Sequence, residues 1–126
     1  MESLTRAEEQ VMLALWGIGK GFAKDILEAL PKPKRGGAKP AITTVSTIVR
    51  ILEQKGFVGH ESFGRAHRYY PLVSHQEYRS RTVDRVVHDH FGGSAQGLLS
   101  HFIQREDIST SELDELLKLI KQRKQD

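Results

Sequence analysis

The chain has 126 residues, of which 38% are hydrophobic and 28% charged, as expected for one ordinary domain or two very small ones. Its net charge of +3 is unevenly placed: residues 1–73 carry 11 Lys/Arg against 7 Asp/Glu, and residues 74–126 carry 8 against 9. The sequence has no apolar run near the roughly 20 residues of a membrane span, no secretory signal pattern and no cysteine, so a cytoplasmic protein without disulfides or thiolate metal sites is expected.

The first 40 residues are predicted to form two helices and a basic loop. Thr5 and Glu8 make a capping box, and apolar residues at helical spacing then predict a helix over 6–17, ended by nearby glycines. A short second helix is expected over about 23–30. The stretch "PKPKRGGAKP" (31–40) is predicted to be a surface loop, either a tolerated insertion or an additional contact surface.

The next 31 residues predict a helix followed by a hairpin. A helix is expected over about 43–55, ended by Gly56, and "FVGHESFG" and "RAHRYYP" predict two strands around a turn near 63–65. Three helices and a terminal hairpin within about 70 residues indicate a winged helix-turn-helix domain over 1–73. The predicted fold class is therefore mainly α with a small β-hairpin wing, followed by a C-terminal helical region.

Residues 74–126 are predicted to be a helical dimerisation domain. Helices are expected over about 75–91, 95–105 and 110–123, two of them opened by capping boxes at Ser74/Glu77 and Ser109/Glu112. Three short helices with one apolar stripe each are too small to form a stable core alone, so a second copy of the chain is the expected partner. The predicted dimerisation residues are Val83, Val86, Val87, Leu98, Leu99, Phe102, Leu113, Leu116, Leu117 and Ile120.

The helix predicted over 43–55 has an unusual polar face. Its apolar side chains recur at i, i+3, i+4 and i+7, and the opposite face carries hydroxyls, one Arg and one amide without any acid. Thr and Ser are poor helix formers, so an ordinary solvated face would favour Glu, Lys and Gln instead. Such side chains suit base reading in a DNA major groove. The predicted DNA-contacting residues on this helix are Thr43, Thr44, Ser46, Thr47, Arg50 and Gln54.

The hairpin that follows supports the same interpretation. Arg65, His67 and Arg68 lie at or just after its tip, where they are expected to reach phosphates beside the groove. The alternative explanation is that these basic residues keep an exposed edge strand soluble. Two other functions stay open: a winged-helix regulator switched by a small ligand, and a winged-helix module that binds proteins.

Catalytic and metal sites are not predicted. His88 and His90 are two residues apart, about 200° around a helix, so they cannot share one ion, and there is no H-E-x-x-H motif. No phosphate-binding loop or Ser/His/Asp arrangement is evident. We therefore expect no cofactor, no metal and no enzymatic activity.

Four stretches resemble the penicillinase repressor family (BlaI/MecI/CopY) of bacterial winged-helix transcriptional repressors. They are "LTRAEEQVMLALW" (4–16), "TTVSTIVRILEQKGFV" (43–58), "GRAHRYYP" (64–71) and the C-terminal "GLLSHFIQRED…ELDELLKLIKQRK". The resemblance implies a homodimer on a palindromic double-stranded operator, with Thr44, Ser46, Thr47 and Arg50 facing the operator and Arg65 and His67 on the wing. For the β-lactam-responsive members it also implies a membrane sensor metalloprotease system and cleavage in the dimerisation helices, here at His101–Phe102.

The chain departs from the family in four respects. "KPAIT" precedes the reading helix where relatives carry an aromatic and a lysine, and the 31–40 loop is longer and more basic. Relatives carry asparagine in place of His101. The copper-responsive members use C-terminal cysteines as ligands, so the absence of cysteine excludes their sensing mechanism.

Overall fold

A computed structural model describes residues 3–125 of the chain, with side chains through Arg123. These residues form two compact units that divide between Arg79 and Ser80. The elements are α1 (Arg6–Ile18), α2 (Ala23–Ala29), α3 (Ile42–Gln54), β1 (Val58–Phe63), β2 (Ala66–Pro71), α4 (His75–His90), α5 (Ala95–Gln104) and α6 (Thr110–Gln125). In the part of the chain that is described, no helix combines the length and the apolar character that crossing a bilayer requires.

The N-terminus of α1 is capped as the sequence predicted. The Glu8 amide donates to Thr5 Oγ1 at 3.1 Å, and the Thr5 amide donates to Glu8 Oε1 at 2.8 Å. Glu8 is only 5% exposed and also pairs with Lys55 Nζ at 2.7 Å, so the cap ties α1 to the end of α3. Burial favours the neutral carboxyl, but the hydrogen bonds from Lys55 and Thr5 outweigh it and lower the pKa of Glu8.

One hydrophobic core lies between α1, α2, α3 and the hairpin. The apolar stripe of α3 supplies Val45, Val49 and Leu52, all fully buried. The other buried hydrophobic residues are Val11, Met12, Ala14, Leu15, Ile26, Leu30, Phe57, Val58, Tyr69 and Val73. Because all of these residues precede Ser80, the first unit holds the core of the described chain.

The hairpin is a two-stranded antiparallel sheet whose register pairs Val58 with Pro71 and Phe63 with Ala66. Gly64 lies in the two-residue turn with φ of +63°, a conformation that glycine adopts without a steric penalty. Backbone hydrogen bonds of 2.8 and 3.0 Å join Gly21 to Tyr69, so the segment before α2 extends the hairpin by one bridge. This arrangement of three helices and a hairpin is a winged helix, as predicted.

The first turn of α4 packs onto α1 within the first unit. Trp16 Nε1 donates to the Val73 carbonyl at 2.9 Å, and the Trp16 ring stacks on His75 at 4.6 Å. The Tyr78 hydroxyl lies 2.6 Å from Glu9 Oε2. These contacts explain why the first unit continues through Arg79, whereas the sequence analysis divided the chain after Val73.

The second unit consists of the rest of α4 with α5 and α6. Ser94 accepts from the Gly97 amide at 3.1 Å and Ser109 accepts from the Glu112 amide at 3.1 Å, which caps α5 and α6. No described side chain between Ser80 and Arg123 is buried. Of the ten predicted dimerisation residues, Val87, Leu98 and Leu113 are half-buried and the rest are exposed: Val83, Val86, Leu99, Phe102, Leu116, Leu117 and Ile120.

Candidate nucleic-acid interface

The polar face of α3 forms a shallow depression of about 300 Å³. It is lined by Ile42, Thr43, Ser46, Thr47 and Arg50, so four of the six residues predicted on this helix come together. Ile42, which the sequence analysis did not include, is 42% exposed at the start of the same face. The surface therefore combines an apolar side chain, three hydroxyls and one guanidinium, the groups that contact thymine methyls and guanine edges in a major groove.

Helix capping does not account for the hydroxyls. The residue that caps α3 is Ala41, whose side chain makes no capping hydrogen bond. Thr47 Oγ1 donates to the Thr43 carbonyl one turn earlier, at 2.9 Å. Among the described residues, no hydrogen bond or ring contact of the protein engages the side chains of Thr43, Ser46 or Arg50. These three side chains are therefore available to an external partner.

A second depression, also about 300 Å³, lies between α2, α3 and the hairpin. It brings Ser46 and Arg50 together with Arg65 and His67 of the wing. The remaining lining residues are Phe22, Ala23, Lys24, Ile42, Ala66 and Tyr69. Neither depression has an acidic lining residue, so the surface that the reading helix shares with the wing is positively charged.

Thr44 and Gln54 lie apart from this group. Thr44 follows Thr43 in the chain and therefore lies to one side of the polar face. It lines a separate apolar cavity of about 250 Å³ with Ile48 and residues of α1. Gln54 is exposed at the C-terminal end of α3, outside both depressions. The structure thus places four of the six predicted α3 residues in one surface, and Thr44 on the side of the helix that faces α1.

The wing separates the two basic residues of β2. His67 stacks on His60 at 4.1 Å, whereas Arg68, the next residue, pairs with Glu61 at 3.3 Å and lies over the Phe63 ring at 4.8 Å. Successive residues of a strand point to opposite faces, so Arg68 and His67 cannot contact the same phosphate. A DNA contact by Arg68 stays a prediction, and the phosphate would compete with Glu61 for this guanidinium.

The histidine pair does not form a metal site. His60 Nδ1 lies 2.6 Å from Glu53 Oε2, which fixes that ring against α3. The His60 and His67 rings are nearly parallel, with an interplanar angle of 9°. Ring nitrogens in parallel planes do not point at one ion. Among the described residues, no group of three or more His, Asp or Glu side chains is arranged to hold a metal.

Lys24 and Tyr69 line the second depression and, like Ile42, are not among the site residues predicted from the sequence. Lys24 lies in the first turn of α2 and Tyr69 in the middle of β2, far from α3 in sequence. Tyr69 is nearly buried, and burial, with Glu53 nearby, raises the pKa of its phenol, so it remains neutral at physiological pH. No local pattern marks either residue, because only the packing of α2 and β2 against α3 brings them to the depression.

A reading helix with free hydroxyls and a free arginine, beside a basic wing, defines a DNA-binding protein of the winged-helix class. The chain belongs to the penicillinase repressor family, whose model matches residues 4–122. It is a DNA-binding transcriptional repressor of that family. The family predicted from the sequence is confirmed, and so is the prediction that the chain is a transcriptional regulator and not an enzyme.

The sequence identity to individual members of the family is low. The chain is 26% identical over 117 residues to the methicillin resistance regulatory protein MecI of Staphylococcus aureus (strain N315), covering 93% of this chain and 92% of that protein. It is 22% identical over 121 residues to the penicillinase repressor of Bacillus licheniformis, covering 96% and 91%. The solved CopR repressor structure is 26% identical, with a TM-score of 0.44, over 58% of this chain and 100% of that one.

Proposed function

We propose that the chain is a cytoplasmic repressor that binds a palindromic operator as a homodimer. The observation that carries this proposal is the acid-free surface formed by Thr43, Ser46, Thr47 and Arg50 on α3. In a major groove, threonine and serine hydroxyls exchange hydrogen bonds with base edges, and arginine binds guanine O6 and N7 with two parallel bonds. Thr43, Ser46 and Arg50 form no side-chain hydrogen bond within the described protein, so they offer these bonds without losing internal ones, whereas Thr47 Oγ1 already donates to the Thr43 carbonyl.

The wing would hold α3 in register on the duplex. Arg65 is exposed in the hairpin turn and His67 lies beside it on the lining of the second depression. Basic side chains beside a reading helix contact the phosphates that flank the groove, which fixes position without reading sequence. With Arg50 and Arg65, Lys24 at the start of α2 is the third lysine or arginine that lines this surface.

The second unit supports dimerisation. It contains no buried side chain among residues 80–123, while Leu117 is 53% and Phe102 36% exposed. Apolar faces of this kind are stable when a second copy covers them across a two-fold axis. Two linked reading helices then bind two half-sites, and the second contact benefits from a high effective concentration. This is the physical reason to expect a palindromic operator.

Release of the operator would follow cleavage at His101–Phe102, through a membrane sensor metalloprotease system. This part of the proposal rests on the family resemblance and on the position of the bond within α5. Phe102 and its neighbours Leu99 and Ile103 are exposed apolar residues, so a cut would divide the proposed dimer surface and remove α6. A helical bond resists proteases until it opens locally, so cutting is expected from an opened or monomeric chain.

Selection from a random-sequence duplex library tests the operator. Enrichment of a palindrome with half-sites about one helical turn apart, or a multiple of this, is the expected result. A single unrepeated half-site would contradict the dimer, and no enrichment would contradict sequence reading and favour a protein-binding module.

Mass spectrometry of the chain from derepressed cells tests the release mechanism. Fragments that end at His101 are the expected result. An intact chain that has left the operator would contradict cleavage and favour release by a small ligand. The same cells before induction provide the control for background proteolysis.

A further inference from the structure

We propose that the basic loop between α2 and α3 is an additional DNA-phosphate contact, made by Lys32, Lys34 and Arg35. The inference rests on the proposed operator binding and adds a surface to it. Four cations and no acidic residue lie within residues 31–40. The structure divides them into one that supports the fold and three that do not.

Lys39 is the cation that supports the fold. Its Nζ donates to the Glu28 carbonyl at 2.9 Å and to the Leu27 carbonyl at 3.3 Å, at the C-terminal end of α2. The Leu27 carbonyl also accepts from the Leu30 amide at 3.2 Å, so Lys39 adds a second donor there and one at Glu28, and a cation at this end interacts favourably with the helix dipole. Lys39 thus fixes the end of the loop that leads into α3, and it is not available to DNA.

Both ends of the loop are held beside the reading helix. Pro31 and Pro40 line the same apolar cavity, together with Thr44 and Ile48 of α3. Proline restricts the backbone at each end. The loop is therefore anchored at its base, close to the start of α3, rather than attached by two freely moving strands.

The other three cations occupy the tip of the anchored loop. Lys34 and Arg35 form the turn, Gly36 follows with φ of +76°, and Pro33 lies next to Gly37 on the returning side. Lys32, Lys34 and Arg35 are exposed, and among the described residues their side chains form no ion pair or hydrogen bond. Three unpaired cations within four residues, on a turn with a fixed base, suit a polyanion.

The length of chain between the loop tip and α3 limits where the tip can lie. Arg35 precedes Ile42 by seven residues, which extended chain would place at most about 25 Å apart, and the folded turn shortens this distance. The tip therefore stays near the N-terminus of α3, and the phosphates proposed as its partners are those that flank the major groove on that side.

Salt-dependent binding tests the loop. A variant with Lys32→Gln, Lys34→Gln and Arg35→Gln is compared with the unsubstituted full chain on the selected palindromic duplex and on a random 30-base-pair duplex. Each lost phosphate contact reduces the magnitude of the slope of log affinity against log salt by about 0.9, so three contacts in each of the two protomers reduce it by about 5.4. Between 50 and 200 mM salt, the unsubstituted protein should then lose about 2,000-fold more affinity than the variant.

The matched control removes the same charge elsewhere. Lys118→Gln, Lys121→Gln and Arg123→Gln alter three exposed cations of α6 in the second unit, and should leave the slope unchanged. Thermal melting and size-exclusion chromatography establish that both variants keep the fold and the oligomeric state of the unsubstituted chain.

Three results would overturn the inference: an unchanged slope in the loop variant, an equal change in the α6 control, or a loss confined to the palindromic duplex. A failure of the proposed function gives a different result from these three. The unsubstituted chain would then enrich no palindrome in the selection, and the salt dependence of the two proteins would still be compared on the random duplex.

Discussion

Arg50 is the residue whose replacement tests base reading most directly. It lies on the α3 surface, lines both depressions and makes no ion pair among the described residues. Its removal leaves no buried charge without a partner, so Arg50→Ala should change the free energy of unfolding by less than about 0.5 kcal/mol. Any large effect on DNA binding can then be assigned to the interface.

The expected loss follows from the proposed symmetry. One good arginine–guanine contact is worth about 1–3 kcal/mol, and a homodimer on a palindrome contains two copies of Arg50. The variant should therefore lose about 2–6 kcal/mol of operator affinity, roughly 30-fold to 10⁴-fold. Binding to a random duplex should fall much less, because a phosphate contact carries only the salt-dependent part of the affinity.

Fluorescence anisotropy with the selected palindrome and a random duplex at one salt concentration measures both effects. Arg123→Ala, an exposed arginine of α6, is the matched control and should bind as the unsubstituted chain does. An equal loss on both duplexes would show that Arg50 contacts phosphate, and a loss of thermal stability would show a structural role. Either outcome would refute base reading by Arg50.

Three further predictions concern the dimer and the fold. A fragment that ends at Arg79 keeps the whole core, so it should melt cooperatively, sediment as a monomer and bind the operator far more weakly; operator binding equal to the full chain would contradict the avidity argument. Leu117→Asp should raise the dimer dissociation constant by at least 100-fold, because about 1.5–3 kcal/mol of burial is lost per copy; a dimer unchanged in light scattering would place Leu117 outside the interface. Glu8→Gln should destabilise the protein at neutral pH. Because the pKa of Glu8 is lowered in the folded state, the difference in unfolding free energy between the unsubstituted chain and the variant should shrink as the pH falls below 4.5. An undiminished difference at about pH 3 would assign the effect to packing.

The helices, the strands and their order follow from short-range features of the sequence. Helices α1 to α6 begin and end within about two residues of the predicted bounds, because capping boxes, glycines and apolar periodicity act within one or two turns. The hairpin was predictable from equally short-range features, since its two strands are separated by a two-residue turn. The polar face of α3 was predictable for the same reason: helical spacing alone aligns Thr43, Ser46, Thr47 and Arg50.

Which basic residues are available to a partner depends on long-range packing. Lys55, Lys39 and Arg68 look alike in the sequence, yet Lys55 pairs with the capping carboxylate of α1, Lys39 closes the end of α2, and Arg68 pairs with Glu61 across the hairpin. Lys24, by contrast, joins the α3 surface through the packing of α2. The sequence shows which residues carry charge. The partner of each charge is a group that is distant in the sequence and becomes adjacent only after folding.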